Sequence, residues 1–369
     1  MANKLLGGRP KALQKFLKNR WGAFSLLYII IMVFIALFAY VLAPDNTLNA
    51  NQMHLSIHSK PPGFEVMMLN IPISKPPKTN LKHFFLGFES NSQQVPIQSY
   101  HLNENAITYV EYIDEVTPGE IQKTLTLNDF PGFNSISEVE KHHIKKQRFW
   151  LGTDKYGRDL LSRMIIGSRV SLSIGLVAVI ISLLVGVFFG VLSGYYGGKV
   201  DAAIMWLVNV IWSIPTLLLV IAVTLALGKG FWQVFVAVGL TMWVEVARVV
   251  RGQMMGLKQM QFITAAKALG FNDSRIIVKH MLPNCLAPII VISAANFASA
   301  ILIESGLSFL GLGAQPPIPS WGGIIKDHYN YIVLGKPYLA IIPGMAIMLI
   351  TLAFMMTGNT LRDVFDVKS

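Results

Sequence analysis

The chain has 369 residues, of which 53% are hydrophobic and only 14% charged, and its mean hydropathy is +0.51. Soluble domains are about a quarter charged, so these values exclude a disordered chain, a small disulfide scaffold and an ordinary cytosolic enzyme. The net charge of +11 would suggest nucleic acid in a soluble chain; in a membrane chain it reflects Lys and Arg kept on the cytoplasmic side, and no nucleic-acid partner is expected. The one cysteine, Cys285, rules out an intramolecular disulfide, a CxxC redox pair and a Cys-based zinc site.

A helix needs about 20 apolar residues to cross a bilayer. Runs free of Asp, Glu, Lys and Arg lie at 21–43, 170–198, 202–228, 230–244 (continuing past Glu245 toward Val250), 281–303 and 337–361. They predict six crossings. The N-terminal tail carries Lys4, Arg9, Lys11, Lys15, Lys18 and Arg20 and no acid, which places it in the cytoplasm. Six crossings return the C-terminus to the same side. The loop between crossings four and five, with Arg251, Lys258, Lys267, Arg275 and Lys279 against Asp273, is also placed inside. The short outer loop after crossing three holds only Lys229. The first run is read as an uncleaved anchor. Val41-Leu42-Ala43 resembles a cleavage site, but the run is longer than the usual h-region of about 7–15 residues.

The segment 45–169 differs in kind, with 13 Lys/Arg balanced by 13 Asp/Glu. Long loops escape the positive-inside rule, so these cations do not oppose an outside location. ITYVEYI at 107–113 alternates loosely and is β-branched or aromatic, as strands are. Pro61-Pro62-Gly63 and Pro76-Pro77 punctuate the segment. The expected fold is an all-α polytopic membrane protein of six transmembrane helices, with a β-containing extracytoplasmic domain over about 45–140 inserted between helices one and two. The organisation reads as tail and first helix 1–43, insertion 44–150, and transmembrane domain 151–369. Six of the eight histidines fall in the insertion: His54, His58, His83, His101, His142 and His143. No spacing of carboxylates and histidines repeats, so they are read as solvated loop side chains rather than a metal site.

Several motifs fail on inspection. Gly197-Gly198-Lys199 lacks the Ser or Thr after Lys and has Ser193 where a phosphate loop needs its first Gly. The segment reads instead as a tight turn. GLSFLG at 306–311 places its second Gly one position late for a nucleophile elbow. No HExxH exists, and no acid–base set assembles, so no catalytic residue and no ATP hydrolysis are expected of this chain. Ala178, Ser182, Gly186, Gly190 and Gly194 recur every four positions and form one small-residue helix face. Internal packing is the preferred reading of that face over a subunit contact.

The loop 256–283 is the most specific feature. FITAAKALG at 262–270 reads as a helix ended by Gly270. Asp273 or Ser274 would cap a second short helix, and Pro283 would begin span five. Two short helices with a small-residue surface suit insertion into a partner's groove. This stretch resembles the EAA loop, EAA-x3-G-x9-I-x-L-P, of permease subunits of bacterial ATP-binding-cassette importers. Ala265, Ala266, Gly270, Leu282 and Pro283 match in register, while Thr264 replaces the Glu and His280 the Ile. RIIVKHMLPN at 275–284 is similar to the peptide-transport branch. LGTDKYGRDLLSR at 151–163 resembles the LGTDxxGRDxLSR segment of dipeptide and oligopeptide permeases. SFLGLGAQPPIPSWG at 308–322 resembles their SFLGLGxQPPxPSWG segment. The resemblance covers 1–43 loosely and 150–369 throughout. A large first outer loop also occurs in the microcin-type peptide branch.

The resemblance implies a multi-pass permease of the bacterial inner membrane. Its partners would be a homologous second permease, two ATPases that hold ATP and magnesium, and an extracytoplasmic binding protein that delivers peptide. This chain would carry no cofactor of its own. Thr264, Ala265, Ala266, Gly270, His280, Leu282 and Pro283 would contact one ATPase. Gly152, Asp154, Gly157, Arg158, Asp159, Gly311, Gly313 and Trp321 would form an outer gate or its support. Glu245 and Glu304 are candidates for the translocation path, because ionisable groups at membrane depth are functional by default. For Glu245 a contact with Arg248 or lipid stays open, and Glu304 would either meet a peptide amine or snorkel. Nickel or microcin-like peptides, a channel or secondary transporter, and an anchored binding protein acting through 45–169 are the alternatives.

Overall fold

The computed structural model describes residues 9–73, 81–113, 122–228 and 230–365. Lys4, Pro76-Pro77 and Lys229 lie outside the described residues. In chain order come helices α1 (Arg9–Lys18), α2 (Arg20–Leu37) and α3 (Ala39–Leu42), strand β1 (Phe64–Pro72), α4 (Leu81–Leu86), β2 (Ser92–Leu102), β3 (Ala106–Glu111), β4 (Gln122–Thr126), α5 (Ile136–His143) and β5 (Ile144–Phe149). There follow α6 (Leu160–Tyr196), α7 (Gly198–Trp212), α8 (Thr216–Leu227), α9 (Phe231–Lys258), α10 (Gln261–Ala268) and α11 (Asp273–Arg275). A π-helical turn (Ile276–Met281) leads into α12 (Leu282–Phe309), and α13 (Trp321–His328) and α14 (Tyr338–Phe365) close the chain. The chain divides into two compact units.

The helical unit comprises residues 1–33, 171–315 and 345–369. Among the described residues of the whole chain, five helices are long and apolar enough to cross a membrane: Arg20–Leu37, Leu160–Tyr196, Trp232–Lys258, Asp273–Phe309 and Tyr338–Phe365. The expected third span differs from its prediction. Residues 202–228 form α7 and α8, bent by 92° at Ser213-Ile214-Pro215. Halves of 15 and 12 residues rise about 22 and 18 Å, each short of a bilayer core of about 30 Å. Pro215 brings no N–H and disfavours helical backbone in the residue before it, which accounts for the break. The fifth span also begins earlier than expected, because the helical path runs without a gap from Asp273.

The small-residue face of α6 packs inside the chain. A Cβ on Gly186 would lie 2.5 Å from Val246 Cβ, one on Gly190 2.7 Å from Val250 Cβ, and one on Gly194 2.6 Å from Met254 Cβ. Bare backbone therefore lets α9 approach to contact, the mechanism small residues serve where lipid gives no hydrophobic drive. Val246, Val250 and Met254 continue into a buried cluster with Tyr195, Ile263, Ala266, Ile276 and Met281.

The second unit comprises residues 34–170 and 316–344. Its sheet is antiparallel and five-stranded, with spatial order β4-β3-β2-β1-β5: four strands run as a meander and the fifth crosses back to lie beside the first. Strand β3 fulfils the reading of 107–113, and β5 extends the sheet beyond the expected end at 140. Alternation along β1 feeds two cores. Leu69 joins Val95, Ile97, Ile107, Tyr109, Phe130 and Val139 on one face, and Val66 and Met68 join Ile57 and Phe149 on the other. Both faces of β1 are thus covered, which suits its place between β2 and β5. His54 departs from the expectation of solvated histidines: it is buried, and burial holds its ring below the usual pKa.

Candidate functional site

The loop is built on α10. Ile263 and Ala266 point into the buried cluster beneath it, while Phe262, Thr264, Ala265 and Leu269 are exposed. Of the residues matched to the EAA pattern, Thr264 and Ala265 therefore face solvent and Ala266 anchors the helix. Gly270 has φ +72°. Its N–H donates to Lys267 O at 2.9 Å, and that of Phe271 to Ala266 O at 3.2 Å, which makes a Schellman cap. The expected cap of the next helix moves by one residue: Asn272 Oδ1 accepts the Arg275 N–H at 3.0 Å. Asp273 and Ser274 are freed from that role. His280 stacks on Phe271 at 5.9 Å between centroids, Leu282 packs partly against the cluster, and Pro283 is exposed in the first turn of α12. A proline there brings no N–H for the carbonyls of the turn before it, at the point where the path passes from π- to α-helix.

Sequence reasoning missed what holds the loop to the membrane helices. Tyr195 Oη, at the end of α6, donates to Asp273 Oδ1 at 2.5 Å. Lys258 Nζ donates to Tyr195 O at 2.6 Å, and the ammonium groups of Lys258 and Lys267 lie 5.7 and 5.4 Å from the Tyr195 ring. One tyrosine thus ties the start and the middle of the loop to α6. Beside it, Asp201 of α7 takes a bidentate pair from Arg251 of α9, Nε–Oδ1 and Nη2–Oδ2 both 2.6 Å, and accepts the Ser193 hydroxyl. The available signal was that Asp201 is the only acidic residue between Asp159 and Glu245.

Glu245 is exposed at a cleft of about 290 Å³ where α7 breaks into α8. Trp212, Ile214, Thr216, Thr241 and Ser299 help to line it. The contact with Arg248 weighed from sequence does not form. Arg248 Nη2 donates to Asn209 Oδ1 at 2.7 Å, and its guanidinium lies 3.6 Å from the Trp212 ring centroid. Glu304 is corrected more strongly. It is fully buried in α12 and accepts the Ser308 hydroxyl at 2.6 Å, so it neither lines this cleft nor snorkels. Gly311 ends α12 with φ +81°, and Gly313 packs so closely on Ser308 that a Cβ would overlap its hydroxyl.

In the second unit, the residues expected at an outer gate form a buried hydrogen-bonded knot. Asp154 Oδ1 accepts the backbone N–H of Tyr156 (2.8 Å) and of Arg158 (3.0 Å), and Oδ2 pairs with Arg158 Nε at 2.6 Å. Arg158 reaches on to Asn51 Oδ1 at 2.9 Å. Gly152 and Gly157, at φ +79° and +73°, lie against the backbone of Lys60 and His54, where no side chain fits. Asp159 Oδ2 accepts the Ser162 N–H at 2.9 Å and also its hydroxyl, and burial raises its carboxyl pKa. Trp321 is buried and donates Nε1–H to Met164 O at 3.0 Å. Nearby, His328 Nε2 accepts the Lys155 N–H at 3.2 Å while Nδ1 donates to Ile324 O at 2.7 Å, the neutral tautomer, and burial lowers its pKa.

The family model described as "binding-protein-dependent transport system inner membrane component" matches residues 186–367, and that of the "N-terminal TM domain of oligopeptide transport permease C" matches 11–62. The glutathione transport system permease protein GsiD of Pectobacterium atrosepticum is 41% identical over 59% of this chain and 72% of its own length. The dipeptide transport system permease protein DppC of Alkalihalophilus pseudofirmus is 41% identical with the same coverage. The oligopeptide transport system permease protein OppC of Haemophilus influenzae is 39% identical over 69% of this chain and 79% of its own length. Identity at this level over most of each relative, added to the membrane helices and the loop, settles the family: the chain belongs to the inner-membrane permease components of binding-protein-dependent transport systems, alongside these three proteins.

Proposed function

We propose that this chain is one permease subunit of an ATP-binding-cassette importer for short peptides. It forms half of the path together with a homologous permease. A binding protein outside delivers the peptide, and two ATPase subunits inside, which hold ATP and magnesium, drive the cycle. Both termini and the loop 256–283 face the cytoplasm, and the inserted β unit faces outward. The observation that carries this reading is the construction of the loop: an exposed ridge of Phe262, Thr264, Ala265 and Leu269, backed by buried Ile263 and Ala266 and pinned by Tyr195. A ridge so braced transmits displacement, because ATPase closure shifts the bundle only if the connector does not absorb the motion. The peptide class is supported by the named substrates of three relatives.

The test is purification of the tagged chain from native membranes, followed by uptake in proteoliposomes. Two ATPases and a second permease are expected to co-purify, and the vesicles should take up di- or tripeptides only with ATP and the binding protein. Uptake of nickel ion or of a microcin-like peptide alone would move the substrate class. Recovery of no ATPase, with the loop intact in mild detergent, would remove the importer reading.

A further inference from the structure

We infer that the cleft at the α7–α8 break is a binding subsite for a primary ammonium group of the passing substrate, with the Glu245 carboxylate as its counter-ion. This deepens, and rests on, the reading of the chain as a peptide permease. Glu245 lies within the candidate span Trp232–Lys258. A carboxylate at such depth is costly unless water or a cation meets it. Neither nearby arginine forms an ion pair with it. Arg248 is turned to the neutral Asn209 amide and the Trp212 face, its Nε left without a hydrogen bond, and Arg251 pairs with Asp201. Among the described residues nothing pairs with Glu245. Its side chain is exposed at the cleft, unlike that of Glu304, which is spent on Ser308.

The surroundings fit an amine. Hydroxyls of Thr216, Thr241 and Ser299 share the lining with apolar Ile211, Ile214 and Leu302. The Thr241 hydroxyl donates to Val238 O at 2.9 Å, which leaves its oxygen as an acceptor. An ammonium offers three donors and no acceptor, and so matches a carboxylate with neighbouring hydroxyl oxygens. The volume of about 290 Å³ sits at the lower limit of small-molecule pockets, about 300–1,000 Å³. The cleft therefore takes one end of a peptide rather than the whole of it. The carboxylate comes from a continuous helix, while the break in its neighbour opens the space before it.

The decisive experiment uses the assembled complex with two readouts. Cys285, this chain's one cysteine, is fully buried, so Ser299→Cys adds one accessible thiol to this subunit, and labelling is read on its own band. A water-soluble neutral thiosulfonate reagent should label it, and millimolar ethylammonium should slow that labelling several-fold. The protection should vanish in Ser299→Cys/Glu245→Gln and persist in Ser299→Cys/Glu245→Asp. In proteoliposomes, Glu245→Gln should lower trialanine uptake about tenfold, the worth of one charge-assisted hydrogen bond, with Glu245→Asp keeping most of it. No labelling of Ser299→Cys, or protection that survives Glu245→Gln, overturns the inference. So does unchanged uptake by Glu245→Gln beside an active wild type. If the Gln variant fails to assemble, ethylammonium compared with ethanol on Ser299→Cys decides: equal protection by the neutral molecule overturns the inference. Absence of ATP-dependent peptide uptake by the wild type removes the importer reading, and this inference with it.

Discussion

Gly270 holds a left-handed backbone that costs other residues about 1–2 kcal/mol, and it closes the cap that stiffens the loop. Gly270→Asp should leave membrane insertion intact and sharply reduce ATP-driven uptake, read as transport per assembled complex. Normal uptake by that variant would mean the cap is irrelevant to coupling. At Gly157 the demand is steric as well, since a Cβ would press into the backbone of His54. Tyr195→Phe removes only the hydroxyl bonded to Asp273 and should cost about 1–2 kcal/mol of thermal stability. His328 supplies a pH dependence. Burial depresses its pKa from the ordinary 6.5, and its Nε2 is needed as an acceptor. The stability that its neutral ring contributes is complete above about 6.5 and is lost as pH falls through the depressed value. Melting of the purified protein between pH 8 and 5 should show this loss, and His328→Asn should flatten the profile. His54 shifts in the same direction through burial, so some dependence should remain in that variant.

Elements were legible where one property repeats along the chain. The charge-free runs located the membrane helices, and a four-residue period located the face of α6 that meets α9. Gly270 announced its cap because few residues accept that backbone. The break in the third run was readable in Pro215, but its hydrophobicity continues unbroken across the bend, so a composition window passes over it. Asp273 and Ser274 are able caps by residue type, but so is Asn272, and only the geometry of the turn selects it. The tie between α7 and α9 invites a direct test. Asp201→Asn weakens a bidentate pair whose groups are partly exposed and should cost about 1–2 kcal/mol, seen as a lower melting temperature in detergent. If melting is unchanged, the pair contributes no stability there.

At the scale of the molecule, the sequence shows a membrane body with an insertion, but not what the motif 151–163 is for. The resemblance implies that its residues form an outer gate or its support. In the structure they bind partners far away in sequence: Arg158 with Asn51 and Thr153 with Lys60. No local pattern encodes pairings across about a hundred residues, so the knot was invisible. The return of β5 to β1 has a further consequence. The first and last strands are neighbours, with Phe64 directly opposite Phe149, so the chain departs and returns through one doorway. Such a module is portable. The chain between Phe64 and Phe149 can lengthen or shorten without changing the path on either side of that pair. Replacing residues 65–148 by an Asn-Gly turn should give a chain that still inserts and keeps the Lys60–Thr153 bonds, at the cost of the Thr47–Phe88 bridge, the Arg169–Phe85 bond and the cover that Val66 and Met68 give Ile57 and Phe149.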